Sequence, residues 1–419
     1  MARPIEDIGQ RIARLSAAQR AQLDELLRKK GLCLDDVPDN VAQNEVRDCA
    51  DDTLGQYRDP PVNMEFSFMF FADNRSNRHT DHYHLLLEAA RFADCHSIRS
   101  LWIPERHFHS FGGPYPNPSI LAAAIATITR KVRIHAGSVV LPLHNPIRVA
   151  EEWSVVDNLS NGRVGIAFAS GWHERDFVLA PGNYAERKQK MLADIDIVRA
   201  LWRGEGVRVP SVTGGDLEVH TYPRPVQKHL PLWITSAGNV ETFITAGRLG
   251  AHVLTGLTGQ STEELQAKIS AYRTARERAG FAPGEGRVTL MLHAFIGDDE
   301  EDVRNLVRPP MREYLRNNLN LHLDLAKARR LEQSLPQFGQ EDEAALLDFA
   351  FERYFTAGSL LGTAAKCSRT VRQLSRLGVN EIACLVDFGL PDEAVLGALP
   401  GIAQLSDTFT PTGLTGPTP

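Results

Sequence analysis

Cysteine is scarce. The five residues Cys33, Cys49, Cys95, Cys367 and Cys384 are odd in number, widely scattered through 419 positions and contain no C-x-x-C pair. That excludes a disulfide framework and a zinc knuckle; free thiols in a reducing compartment are expected, and with them a cytoplasmic protein. Positive charge is not in surplus either. Lys and Arg number 46 against 52 Asp and Glu, a formal charge of −6, and no basic run is long enough to track a polyanion, so nucleic acid is not an expected partner. Apolar stretches such as Leu121 to Ile128 and Ile382 to Val386 fall far short of a membrane span, and the N-terminus lacks a signal-peptide apolar region. No membrane segment is predicted. Several catalytic motifs are also missing. There is no G-x-G-x-x-G after the first strand, no P-loop, no G-x-S-x-G elbow and no H-E-x-x-H, which argues against a Rossmann domain, an NTPase, an α/β-hydrolase and a zinc enzyme. No metal is predicted.

What is present is globular: 43% hydrophobic and 23% charged residues, enough to bury a large core. The first 61 residues stand apart. Ile8, Ile12 and Leu15 repeat at helical spacing; Ser16 and Gln19 form a capping box opening a second helix with Leu23, Leu26 and Leu27, and Gly31 closes it. From Asp35 the chain is acidic and polar and ends in Pro60-Pro61. Residues 1–61 therefore read as a helical appendix with a linker, and the main domain is expected over 62–408. Residues 409–419, rich in Pro, Gly and Thr, are expected to be a disordered tail.

In the main domain, short β-type runs alternate with amphipathic helices. The strand candidates are 65–71, 99–103, 132–139, 164–169, 232–235, 252–254, 288–296 and 381–387. Asn117, Asn145 and Asn239 each stand as a polar cap before a helical run, the first two followed by Pro. Eight such units predict an α/β fold, a (β/α)8 TIM barrel. Residues 298–357 are too long for one βα helix. They predict an inserted helical segment before the last βα unit, with Met311, Tyr314, Leu315, Leu319, Phe349, Phe351, Tyr354 and Phe355 forming either core or a substrate lid.

A barrel site lies at the C-terminal ends of the strands, so the residues after each strand carry the functional reading. Glu105, Arg106 and His107 follow the second strand, with Phe108 and His109 beyond; they can bind or protonate a substrate, or form an internal Glu105–Arg106 salt bridge beside a packed His107. Small residues around Ser138 and Val139 allow a flat ligand to approach the third strand, and Ser170, Gly171 and Trp172 follow the fourth. Ser236, Ala237, Gly238 and Asn239 precede a helix whose free N–H groups suit a phosphate, with Arg187 as a candidate cation; the plain alternative is a tight turn capped by Asn239.

Five segments together carry a family resemblance: SLWIPERHFHSFGGPYPNPSILAAAIA, VRIHAGSVVLPLHNPIRVAEEWSVVDNLSNGRVGIAFASGW, YAERK, LWITSAGNVETFITAGRLGAHVLT and NEIACLVDFG. They resemble the bacterial luciferase-like flavin (FMN) monooxygenase superfamily over most of the chain. The wording ERHFHSFGG and CLVDFG is similar to a subgroup associated with nonribosomal peptide and polyketide assembly lines. IARLSAAQRAQLDELLRKKG resembles the linker helices of peptide synthetases.

The resemblance implies reduced FMN as cofactor, its phosphate at Ser236, Ala237, Gly238 and Asn239 with Arg187, and its ring near Ser138 and Val139, where relatives often have a non-proline cis peptide. It implies an NAD(P)H:flavin reductase as partner, a homodimer or larger assembly, and oxygen transfer through a flavin C4a-(hydro)peroxide. The assembly-line wording adds a carrier-protein-tethered acyl or aminoacyl substrate, oxygenated in natural-product biosynthesis. One position departs from the pattern. Bacterial luciferase has Glu-His-His-Phe after the second strand, and the first His, important for catalysis there, is Arg106 here, while Glu105, His107 and Phe108 are kept. Two other readings stay open: an F420- or flavin-dependent hydride-transfer oxidoreductase, and a non-catalytic flavin-binding or docking protein.

Overall fold

Runs such as FSFM in β1 (Glu65–Met69) and IACL in β11 (Glu381–Leu385) are buried residue after residue, with none of the in–out alternation of a half-exposed sheet. That is the signature of parallel strands covered on both faces. The computed structural model describes residues 62–71, 81–109, 112–257, 260–328 and 340–409. The elements are β1, α1 (His84–Cys95), β2 (Ser100–Ile103), α2 (Pro118–Ile128), β3 (Arg133–Val140), α3 (Pro146–Ser160), β4 (Val164–Ala169), α4 (Arg187–Arg203), β5 (Val207–Pro210), β6 (Asp216–Val219), β7 (Leu232–Ser236), α5 (Val240–Arg248), β8 (His252–Gly256), α6 (Thr262–Arg278), β9 (Val288–Gly297), α7 (Glu300–Ala328), α8 (Gln340–Ala357), β10 (Leu360–Thr363), α9 (Ala364–Arg376), β11 and α10 (Asp392–Phe409).

Eight parallel strands pair in the order β1-β2-β3-β4-β7-β8-β9-β11, and β11 returns to β1, so the sheet closes as a (β/α)8 barrel. All eight expected strands are present. The predicted caps also form: the side chains of Asn117, Asn145 and Asn239 accept from the backbone N–H groups of Ser119, Ile147 and Glu241. Each satisfies one of the N–H groups that a helix start leaves without a partner.

Two elements lie outside that expectation. An antiparallel hairpin, β5–β6, interrupts the barrel rhythm after α4, and β10 pairs with the C-terminal half of β9, Leu360 opposite Ala294. The insertion is helical: α7 and α8 fall between β9 and β10. Within it Met311, Phe351 and Phe355 are fully buried, so these three are core. The appendix of residues 1–61 and the tail beyond Phe409 lie outside the described residues. The last helix runs through Phe409, whose carbonyl accepts from the Met64 N–H at the entrance to β1.

The barrel interior is not purely apolar. Trp102 and Trp233 meet edge to face with centroids 5.2 Å apart, and His135 sits against both. Gly165 makes this possible, because a Cβ there would lie 2.7 Å from the His135 ring. Beside them Glu381, fully buried, accepts hydrogen bonds from Ser67, Ser100, Trp102 Nε1 and Thr289. Burial would raise its carboxyl, but Arg287, His135, the Ser67 hydroxyl and Arg99 overcome that and hold it down to about 2.

Candidate active site

Strands β2 and β3 are neighbours in register, so the loops leaving their C-terminal ends meet above the barrel. Glu105, two residues beyond β2, turns inward and its side chain is fully covered. His107 Nε2 and His144 Nε2 both donate to its Oε1, at 2.7 and 2.6 Å, and the Val140 N–H donates to Oε2 at 2.7 Å. Burial raises the Glu105 carboxyl, but these donors outweigh it and keep the group below its ordinary value. It is therefore an acceptor only. Each imidazole must carry its proton on Nε2, which leaves Nδ1 as the acceptor in the neutral ring. For His144, burial pulls the imidazole down while the bond and charge of Glu105 raise it further, so the net shift is upward. Among the described residues these three are a group close enough to share a cation. Both Nε2 atoms are already committed to one carboxylate oxygen, so the arrangement reads as a hydrogen-bonded trio.

Arg106 points elsewhere, and the Glu105–Arg106 bridge considered from sequence does not form. Its Nη1 pairs with Asp176 at 2.9 Å, from the short helical turn Glu174–Leu179 after β4, and its guanidinium lies 5.8 Å from the Trp172 ring centre. Gly112, at φ +80°, packs against the Arg106 stem, where a Cβ would come within 2.9 Å of Cγ. Phe108 holds a left-handed backbone and is 58% exposed, and Trp172 is 44% exposed, so two aromatic rings stand open at this rim.

The third strand carries the cis peptide expected there, between Gly137 and Ser138, and its pairing with β4 slips between Gly137 and Val139. The Ser138 hydroxyl meets that of Thr235 on β7 at 2.6 Å. After β7, the Gly238 N–H donates to Ser236 Oγ, and Asn239 caps α5. Arg187 follows β4: its Nε and Nη1 donate to the carbonyls of Gly171 and Tyr184, and it stacks over the Tyr184 ring. It thus ties Gly171, at φ +73°, to the start of α4. A cation facing the β7 loop is Lys268 of α6. A Cβ on Gly238 would lie 3.6 Å from both Lys268 Nζ and Gln260 Oε1, which bond each other at 2.9 Å.

Sequence reasoning passed over His144 and Lys268. His144 has a usable signal, since it follows β3 as Glu105 follows β2; Lys268 has none, being one more Lys on an amphipathic helix. On the same C-terminal rim, Asp387 accepts from the Tyr115 hydroxyl and the Phe71 N–H, and His293 of β9 bonds the Tyr354 hydroxyl and packs against Tyr314 and Phe388. The insertion therefore closes over the ends of β9 and β11.

Comparison with known proteins agrees with this fold. The chain is 24% identical over 347 residues to the oxygenase component of the flavin-dependent trigonelline monooxygenase of Acinetobacter baylyi, covering 79% of this chain and 91% of that protein. A monooxygenase from Streptomyces bottropensis superposes with a TM-score of 0.66 at 22% identity, over 81% of this chain and 98% of that one. The oxygenating constituent of 3,6-diketocamphane monooxygenase from Pseudomonas putida, in complex with FMN, gives 0.64 at 16%, over 82% and 97%. An F420-dependent secondary alcohol dehydrogenase shares the barrel at 0.57 and 15%, over 81% and 99%. The luciferase-like monooxygenase profile matches residues 64–381, from the entrance of β1 to the first residue of β11, and the chain belongs to that family.

Proposed function

We propose that this monooxygenase works with reduced FMN supplied by a separate NAD(P)H:flavin reductase, and oxygenates an acyl or aminoacyl group tethered to a carrier protein in natural-product biosynthesis. The observation that carries the cofactor is the cradle after β7: Ser236, Ala237 and Gly238 leading into the α5 N-terminus, with Lys268 facing Gly238. N–H groups at a helix start, a hydroxyl and one cation fit a phosphate monoester. FMN ends in that group, and Ser138, Val139, Ser170, Gly171 and Trp172, at the ends of β3 and β4, would hold its ring, with Ser138 tied to Thr235 beside the cradle. Arg187 contributes by fixing Gly171. Bound there, reduced FMN supplies the two electrons with which O2 is divided between product and water.

The chain's own part is positioning and proton control. Glu105 holds His107 with Nδ1 free to accept a proton, and His144 adds a second imidazole on the same carboxylate. Trp172 and Phe108 exclude water when a substrate covers them. The carrier arm enters from the side covered by α7 and α8, and the assembly-line wording of the sequence supports the tethered substrate. Ile120 on α2 with Val155 and Leu159 on α3 are exposed apolar residues on neighbouring helices, which supports pairing of two copies. Among the described residues no helix is long and apolar enough to cross a membrane, and Cys367 and Cys384 are free thiols, which supports a cytoplasmic setting.

The test takes flavin-free protein and titrates FMN, riboflavin and F420. FMN should bind at least about tenfold tighter than riboflavin and tighter than F420. With a reductase, O2 and an acyl-loaded carrier, mass spectrometry should find the acyl group heavier by one oxygen atom. Tighter binding of F420 with hydride transfer would establish the oxidoreductase reading instead. Flavin binding without oxygenated product would establish a silent binder, and equal turnover of a free small molecule would remove the carrier.

A further inference from the structure

We infer that Arg106 receives a carboxylate carried by the substrate on the edge of its guanidinium formed by Nε and Nη2. The inference deepens the oxygenase reading and rests on it, because it takes the group bound beside His107 to be substrate. The guanidinium has two faces for paired acceptors. Nε–H and one N–H of Nη2 point the same way and match the two oxygens of a carboxylate, a fork that no other side chain offers. In this structure Nη1 is spent on Asp176, whereas Nε and Nη2 are both buried and have no hydrogen-bond partner among the described residues. Arg106 as a whole is 3% exposed, so bulk solvent does not reach this edge. A buried donor of a charged group without an acceptor is costly, and two on one edge call for a single planar acceptor.

Three further observations fit. The arm is fixed: Asp176 holds one end, the Arg106 N–H donates to the Tyr115 carbonyl, and Gly112 packs on the stem without room for a side chain. The edge therefore cannot swing away to find protein partners. Charge is in keeping, since Arg175 is close enough for its charge to act on Arg106, a second cation beside the same group. The neighbouring Trp172 and Phe108 are apolar and exposed, a surface for the carbon skeleton behind the carboxylate. On a thioester-tethered group this carboxylate is a second one, at the end away from the thioester, so the tethered acyl or aminoacyl unit is acidic.

The experiment uses flavin-free full-length protein with benzoate and benzamide as probes, followed by calorimetry. Benzoate should bind the wild type about tenfold or more tightly than its neutral isostere, and Arg106→Lys, which keeps the charge but not the fork, should erase that ratio. Should Arg106→Lys fail to fold, wild-type protein labelled with 15N-arginine carries the test: one buried Nε–H resonance should move with benzoate and not with benzamide. Equal affinities for the two probes, or an unchanged ratio in Arg106→Lys, would overturn the inference. So would an Arg106→Lys protein that loses riboflavin affinity while keeping the benzoate preference, because the edge would then serve a flavin carbonyl. FMN binding by the wild type is read separately, so a failed carboxylate assignment and a failed flavin assignment remain distinct.

Discussion

Replacing Glu381 by Gln should weaken the barrel measurably, and the structure sets the size. Four hydroxyl or indole donors, from Ser67, Ser100, Trp102 and Thr289, converge on this carboxylate, with Arg287 at 3.7 Å, inside a fully buried layer. An amide keeps one acceptor oxygen but turns an NH2 toward donors that need an acceptor. Holding the carboxyl at about 2 against its ordinary 4.5 corresponds to about 3 kcal/mol of native-state preference for the charged form. For a barrel of roughly 350 residues, unfolding entropy is about 0.7 kcal/mol per degree, so the loss should lower Tm by ~4–5 °C. The sign with pH follows from the depressed folded-state value. The contribution is complete above about pH 4.5 and disappears as pH falls toward about 2, so the gap between wild type and Glu381→Gln should be constant from pH 6 to 8 and narrow below 4.5. Differential scanning fluorimetry across that range reads both. A gap under about 1 °C at pH 7, or one that widens in acid, would refute the account of Glu381 as a paired buried anion.

Two smaller tests address the site. Lys268→Met should weaken FMN by about tenfold and leave riboflavin unchanged, read by flavin fluorescence; an equal effect on both would remove Lys268 from the phosphate. For His144→Gln, the raised native value of the imidazole means that its contribution is full below about pH 6.5 and fades as pH rises through the native value. The variant's Tm deficit should therefore be larger at pH 6 than at pH 9, and the reverse order would show that His144 is not stabilised as a cation by Glu105.

The barrel was legible because its strands are continuous apolar runs and its helices open on Asn caps, both local signals. The β5–β6 hairpin was not, since VRVP and DLEV are short and mostly exposed, although Gly214-Gly215 between them marked a turn. Strand β10 is four residues containing a glycine, and only its pairing with β9 makes it a strand. In the site, Glu105 and His107 could be chosen from their place after β2. Their partners could not: His144 is 39 residues from Glu105 and Asp176 is 70 from Arg106, joined only because β2, β3 and β4 are laid side by side. For Arg187, position predicts a charge after β4 but not that the Gly171 and Tyr184 carbonyls would take its Nε and Nη1.

The hydrogen bond from Met64 to Phe409 has a consequence for delivery. It sits at the N-terminal ends of the strands, where the final helix comes to rest after running back along the barrel, while Glu105 lies at the C-terminal ends. Met64 thus lies at the floor of the barrel, and the chemistry is at its ceiling. The 18-residue α10 alone measures about 27 Å, the thickness to be crossed. On the tethered-substrate proposal, a carrier docked at the floor has that distance to cover along the outside wall.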